Sequence, residues 1–169
     1  SCRGLAANQA LSSMGVTLCG SGFLVDREEA NGLGVDRVSQ LSDFVRPFMN
    51  GRDLAQHSRG LMVIDLFGLQ AEEARQRFPE AYQWILQNVK PDREHNNRAS
   101  YRENWWVFGE PRRELRRALR GLAQYIATTR TAKHRVFQLL GSDCVAESEV
   151  ICIALDSLFH LGVLSSRLH

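Results

Sequence analysis

Apolar positions along the chain follow two rhythms. Residues 61–67 are apolar everywhere except Asp65, which predicts a central strand covered on both faces. Shorter apolar runs at 16–19, 23–25, 44–45, 105–108, 125–129, 136–140 and 150–154 read as further strands. Helical spacing predicts helices over 71–77 and 79–89. Pro79 starts the second of these, and Tyr82, Ile85, Leu86 and Val89 form its apolar face. Leu158, Leu161 and Leu164 carry the same spacing across 155–165. A short helix over 26–31 is broken by Asn31-Gly32-Leu33-Gly34, Pro47 and Asn50-Gly51 predict turns, and 91–100 is a polar loop.

One further helix is predicted from Pro111, suited to the first helical position, to Arg120, with Gly121 just past its end. On a helical wheel Arg112, Arg113, Arg116, Arg117 and Arg120 fall within an arc of about 140°. Leu115, Ala118, Leu119 and Leu122 fall in a separate arc of about 100°, so the leucines dock on a core while the arginines face outward. The elements add up to α+β: a single mixed domain over 1–169, its mainly antiparallel or mixed sheet flanked by helices. There is no strict βαβ alternation and no internal repeat.

Composition changes little of this. A chain of 169 residues, 44% hydrophobic, is large enough for a real core. No apolar run approaches the length of a membrane span, and no signal-peptide pattern opens the chain. It starts at Ser1 and stops at His169 in mid-pattern, which reads as a piece of a longer protein. Cys2, Cys19, Cys144 and Cys152 contain no CxxC pair, so reduced, mostly buried thiols in a cytoplasm are expected.

Charge changes it more. Between Lys90 and Arg135 stand twelve basic residues and five acids, a local +7 in a chain of net +2. Nineteen of the 21 basic residues are Arg, whose planar fork suits phosphate and the guanine edge better than a solvated Lys does. Two readings stay open: a solvated helix face, or a surface that meets a polyanion.

Candidate chemistry elsewhere is thin. Gly20-Ser21-Gly22 reads as a hairpin or bulge before it reads as a cofactor loop, because a strand rather than a helix follows. Asp65 is a satisfied core carboxylate or a site residue at a strand end. Cys144, Cys152 and His160 are evenly spaced, at a spacing that makes zinc a remote alternative to core packing. One or both of Trp105 and Trp106 are core, with stacking on a flipped or single-stranded base as the alternative. A nuclease centre of the PD-(D/E)xK kind needs a Lys beside paired carboxylates, and neither Lys90 nor Lys133 completes it. His95-Asn96-Asn97 is a faint hint of a histidine–metal nuclease without the rest of its motif.

Several runs, in order, carry a resemblance. They are Asn8-Gln9…Leu11-Ser12…Gly15-Val16…Cys19-Gly20-Ser21-Gly22-Phe23, Arg46-Pro47-Phe48-Met49-Asn50-Gly51-Arg52-Asp53-Leu54 and Ser100-Tyr101-Arg102-Glu103-Asn104-Trp105-Trp106. Lys133-His134-Arg135 and the run from Leu158 to Ser166 complete the set. Together they resemble the target-recognition domain of MmeI-like bacterial DNA methyltransferases, the family that includes single-chain type IIL restriction-modification enzymes.

The resemblance implies a domain that reads duplex DNA for an upstream adenine-N6 methyltransferase domain of the same chain, with S-adenosylmethionine held there. No cofactor is expected in this part, and the family's Asn-Pro-Pro-Tyr/Phe tetrapeptide is absent, so methyl transfer is not expected from it either. The chain is also expected to stop before the end of the family's recognition domain. Arg112, Arg113, Arg116, Arg117 and Arg120 are the candidates for phosphate. Arg98, Ser100, Tyr101, Arg102, Asn104, Thr131, Lys133, His134, Arg135, Asp156 and Ser157 are the candidates for bases or backbone. The competing class is a protein-interaction module whose Arg-rich helix binds an acidic partner.

Overall fold

The computed structural model describes residues 11–132 and 135–166. They form an α+β fold of antiparallel sheets flanked by helices, and the chain divides into two compact units. The first takes residues 1–15, 49–59 and 112–169, and the second takes 16–48 and 60–111.

The first unit is built on four antiparallel strands in the order β1-β8-β5-β6. These are β1 (Ser12–Met14), β5 (Gln124–Thr129), β6 (Phe137–Gly141) and β8 (Val150–Ile153). The register pairs Ser12 with Ile153, Ile126 with both Ile153 and Leu139, and Thr129 with Val150. Two helices, α2 (Gly51–Ala55) and α7 (Arg113–Ala118), supply Leu54 and Leu115 to a core shared with Tyr125, Ala127, Leu140, Val150 and Cys152. Burial beside Cys144 pushes the Cys152 thiol up to about 12, so it behaves as a small apolar group. The Tyr125 hydroxyl donates to the Cys144 carbonyl at 3.1 Å, which satisfies the one polar atom this ring brings inside. The short strand β7 (Val145–Ala146) leads into the turn before β8, and Glu147 N–H donates to the Met49 carbonyl at 2.9 Å.

Asn50-Gly51 is a correction. The Asn50 side chain accepts the Asp53 N–H at 2.8 Å, so this pair caps and begins α2 rather than turning the chain. The helix expected from Pro111 is also shorter. Arg112 sits before it in the left-handed region at φ 53, and α7 begins only at Arg113. Gly121 is left-handed at φ 85 as expected, two residues past the Leu119 cap. At the far end α8 (Leu158–Leu164) starts later than the leucine spacing predicts, because Ser157 caps it by accepting the Phe159 N–H.

In the second unit β4 (Met62–Ile64) lies between β2 (Leu24–Val25) and β3 (Val45–Met49), antiparallel to both. Val63, Ile64 and Leu66 are fully buried, as a central strand requires. Pro47 does not turn the chain. It stands in β3 opposite Met62, and the neighbouring Phe48 N–H makes the bond to the Leu61 carbonyl that Pro47 has no N–H to make. Before these strands α1 (Arg27–Gly32) is held by a capping box in which Asp26 and Glu29 exchange side-chain bonds with each other's N–H.

Helices α3 (Ala71–Arg77) and α4 (Pro79–Asn88) match the spacing of their apolar residues. The polar run after them is a second correction. It holds α5 (Lys90–Glu94) and the start of α6 (Ala99–Glu103), and Arg93 within it is only 1% exposed. Residues 105–108 and 16–19 are not strands; the latter keeps only isolated bridge positions at Val16 and Thr17, with Thr17 antiparallel to Glu110. Residues 21–23 form a 3-10 turn rather than a hairpin. A Cβ at Gly22 would lie 2.1 Å from the Asn88 carbonyl oxygen, and Trp84 Nε1 donates to the Gly22 carbonyl, so the turn is packed on α4.

Candidate nucleic-acid interface

Leu115 fixes how α7 sits. It is buried in the core of the first unit and Leu119 packs beside it, which turns Arg113 and Arg117 outward with Arg120 just beyond the helix. Arg112 and Arg116 are half-buried, and Arg112 Nε donates to the Gly15 carbonyl at 3.1 Å. Arg117 meets Glu114 at 3.2 Å, but both side chains are over 70% exposed. Such a pair holds by about 0.5 kcal/mol, little enough for a phosphate to displace it.

The other candidates in this unit lie in two places. Thr131 and Arg135 are exposed on the connection between β5 and β6, which leaves the sheet where Thr129 pairs with Val150. Lys133 and His134 lie outside the described residues. Asp156 and Ser157 follow β8 at the opposite end, where the Gln124 side chain donates to the Asp156 carbonyl at 2.9 Å. Gln124 and Thr129 are the two ends of β5, and strand geometry separates them by about 17 Å. The Asp156 side chain is exposed, while Ser157 Oγ is engaged as the cap of α8.

In the second unit Arg98, Ser100, Tyr101, Arg102 and Asn104 gather on and around α6. Arg98 Nη1 donates to the Tyr101 hydroxyl at 2.8 Å, Arg102 Nη1 to the Asn96 carbonyl at 2.6 Å, and Asn104 Nδ2 to the Ser100 carbonyl at 3.2 Å. These contacts restrain Arg98, Arg102 and Asn104 before any ligand arrives, which lowers the entropy cost of using their remaining donors. The Tyr101 ring is flanked by guanidinium groups, Arg98 at 5.2 Å and Arg93 at 5.1 Å from its centroid.

Arg93 is the residue that sequence reasoning passed over. Its Nη2 donates to the carbonyls of Leu18 at 2.8 Å and Val107 at 3.1 Å, while Nε and Nη1 have no partner. Burial holds its pKa below the ordinary Arg value, with Cys19 and Tyr101 opposing that shift. The signal available beforehand was its place: helical spacing puts Arg93 one turn after the buried Val89. The helix α8 was expected from its leucine spacing, but the exposure of its apolar Leu158, Phe159 and Val163 was not.

The alternatives resolve physically. Asp65 is 4% exposed and meets Arg46 at 3.3 Å, a paired core carboxylate. Trp105 is buried against Tyr82 and Trp106, and Trp106 Nε1 donates to the Leu69 carbonyl at 3.0 Å, so neither ring is set out as a platform. Among the described residues no three His, Cys, Asp or Glu side chains are grouped to hold a metal ion, and no helix is long and apolar enough to cross a membrane. In the glycine turn at 20–22 Gly22 packs against the Asn88 backbone, while Gly20 faces open space.

The chain matches no protein-family model and no curated protein. Among solved structures it is similar to the type IIL restriction-modification enzyme MmeI in complex with DNA, a structure described as having implications for engineering new specificities. The TM-score is 0.71 at 15% identity, over 92% of this chain and 20% of the other. The likeness is one of fold, and the chain spans about a fifth of that neighbour's length.

Proposed function

We propose that this chain reads duplex DNA as the target-recognition part of a restriction-modification enzyme. The observation that carries the reading is the shared fold with a DNA-bound restriction-modification enzyme over 92% of the chain. The cationic surface supports it: Arg113, Arg117 and Arg120 stand exposed on a helix anchored by Leu115, and Thr131 and Arg135 on a turn anchored by paired strands. The phosphate role falls to the arginines at 112–120. Base or backbone contacts fall to the residues around α6, to Thr131, Lys133, His134 and Arg135, and to Asp156 and Ser157.

On this reading the part is not itself catalytic. It positions an upstream adenine-N6 methyltransferase domain of the same chain, which holds S-adenosylmethionine, in the cytoplasm of a bacterium. An acidic-protein partner for the Arg helix is the competing reading, and no observation favours it over DNA.

The test is fluorescence anisotropy with duplex DNA across a salt series, on the chain and on a variant with Arg112, Arg113, Arg116 and Arg117 changed to Ala. Each phosphate contact contributes a slope of about −0.9 in log affinity against log salt, so the variant's plot is expected to be flatter. Equal binding to duplex and to heparin, with no preference among DNA sequences, would favour the protein-partner reading.

A further inference from the structure

The second unit holds a positive charge that no carboxylate answers. Arg93 is only 1% exposed, its Nε and Nη1 have no partner, and among the described residues it forms no ion pair. A buried cation without a counter-charge is costly to keep. What faces it is aromatic: its guanidinium lies 5.6 Å from the ring centroid of Phe23 and 5.1 Å from that of Tyr101. The guanidinium of Arg98 lies 5.2 Å from the same Tyr101 centroid. The ring attracts each cation, while the two cations repel one another. Arg98 is held there nonetheless, because its Nη1 donates to the Tyr101 hydroxyl at 2.8 Å. Arg98, Ser100 and Arg102 are exposed on and beside α6, and Arg102 is tethered to the Asn96 carbonyl. Asp92, Glu94 and Glu103 stand on α5 and α6, yet among the described residues their one ion pair is Glu94 with Lys90 at 3.5 Å. Cations restrained side by side without a carboxylate have the chemistry of an anion site.

Resting on the DNA-reading proposal, we infer that α6 holds a backbone phosphate of the duplex rather than a base, with Arg98, Arg102 and the Ser100 hydroxyl as donors. Tyr101 and Arg93 are positioning residues: the phenol seats Arg98, and the buried guanidinium seats the phenol. The arriving phosphate is the counter-charge that the two guanidinium groups around Tyr101 lack. A neutral base edge would leave that repulsion unrelieved.

The experiment uses a duplex selected by this chain from a randomised pool. Methylphosphonate is placed at one linkage at a time, which removes a single negative charge and keeps every base. Sensitive linkages are expected to lose about tenfold in affinity, the effect of one charged hydrogen bond. In Arg98→Ala one of them should become insensitive, and the plot of log affinity against log salt should flatten by about 0.9. Tyr101→Phe keeps the ring and frees Arg98, so it should weaken binding severalfold and reduce the penalty at that same linkage only. Arg93→Met should act at that linkage too, a readout that a general loss of stability would not single out. If Arg93→Met fails to fold, Arg98→Ala and Tyr101→Phe still decide. An unchanged salt slope in Arg98→Ala, with every linkage still sensitive or with preference lost at one base pair, overturns the phosphate site and leaves DNA recognition standing. Absence of duplex binding at low salt overturns both.

Discussion

Arg93 on α5 donates a hydrogen bond to the carbonyl of Leu18 at 2.8 Å across 75 residues of chain. With its second bond, to Val107, it joins three separate segments of the second unit through one buried guanidinium. Arg93→Met keeps the length but takes the donor from the Val107 carbonyl and one of two donors from the Leu18 carbonyl, which retains the Gly109 N–H. It is expected to lower stability by about 2–4 kcal/mol in denaturant titration, and Arg93→Lys to recover part of that. A change below about 0.5 kcal/mol for Arg93→Met would mean water replaces the guanidinium at no cost.

Gly22 answers to its neighbour's backbone. Gly22→Ala places a carbon 2.1 Å from the Asn88 oxygen, so the 21–23 turn or the end of α4 must move. The expected loss is about 1–3 kcal/mol, read as a lower thermal midpoint. Gly32→Ala, where nothing lies within 4 Å, is the control and should be near neutral.

Leu115 ties the cationic helix to its core, so Leu115→Ala should cost about 2–4 kcal/mol by the cavity it leaves. Glu114→Gln on the exposed face should change stability by less than about 0.5 kcal/mol. If the helix meets DNA, the same Glu114→Gln change should raise affinity, because it removes the anion that competes for Arg117.

Acid stability should show two opposite carboxylates in the first unit. Asp53 is buried, with both oxygens bonded to Arg59 at 2.8 and 2.9 Å, and that bond holds its carboxyl below the ordinary 3.8. A depressed pKa adds stability above the unfolded value that is lost as pH falls through the folded one. Asp53→Asn should therefore remove part of the acid limb below about pH 4. Glu147 is the reverse: burial and then the nearby Glu149 raise its pKa above 4.5. Its contribution is greatest below the unfolded value and declines as pH rises through the folded one, so Glu147→Gln should raise the thermal midpoint at pH 7 more than at pH 4. Equal shifts at both pH values would remove Glu147 as the cause.

What was legible in the sequence was whatever local periodicity decides. The apolar run at 61–67, the Pro79 start of α4 and the leucines of α7 all carry their burial in their spacing. What was not legible depended on distant partners. Pro47 reads as a turn until β4 lies beside it and Phe48 supplies the ladder bond. Trp105–Phe108 reads as a strand because paired aromatics favour one, yet Trp106 spends its N–H on Leu69 instead. The candidate site divides the same way. Charge along 90–135 was countable in advance, but the separation of Arg135 from Asp156 follows from the pairing of β5 with β8, which no local pattern contains.

That pairing also sets an order of events during synthesis. β1 is made near the start of the chain, yet its partner in the sheet is β8, about 140 residues later. The segments of the second unit have all been made by residue 111, although the fourth strand of its sheet, β7, comes only at 145–146, and the sheet of the first unit must wait for residue 153. At typical translation rates β1 stays without its partner for roughly 10–30 s. During that interval β2, β3 and β4 can pair, whereas the outer strand β1 of the sheet beside the cationic helix has no partner until β8 is made.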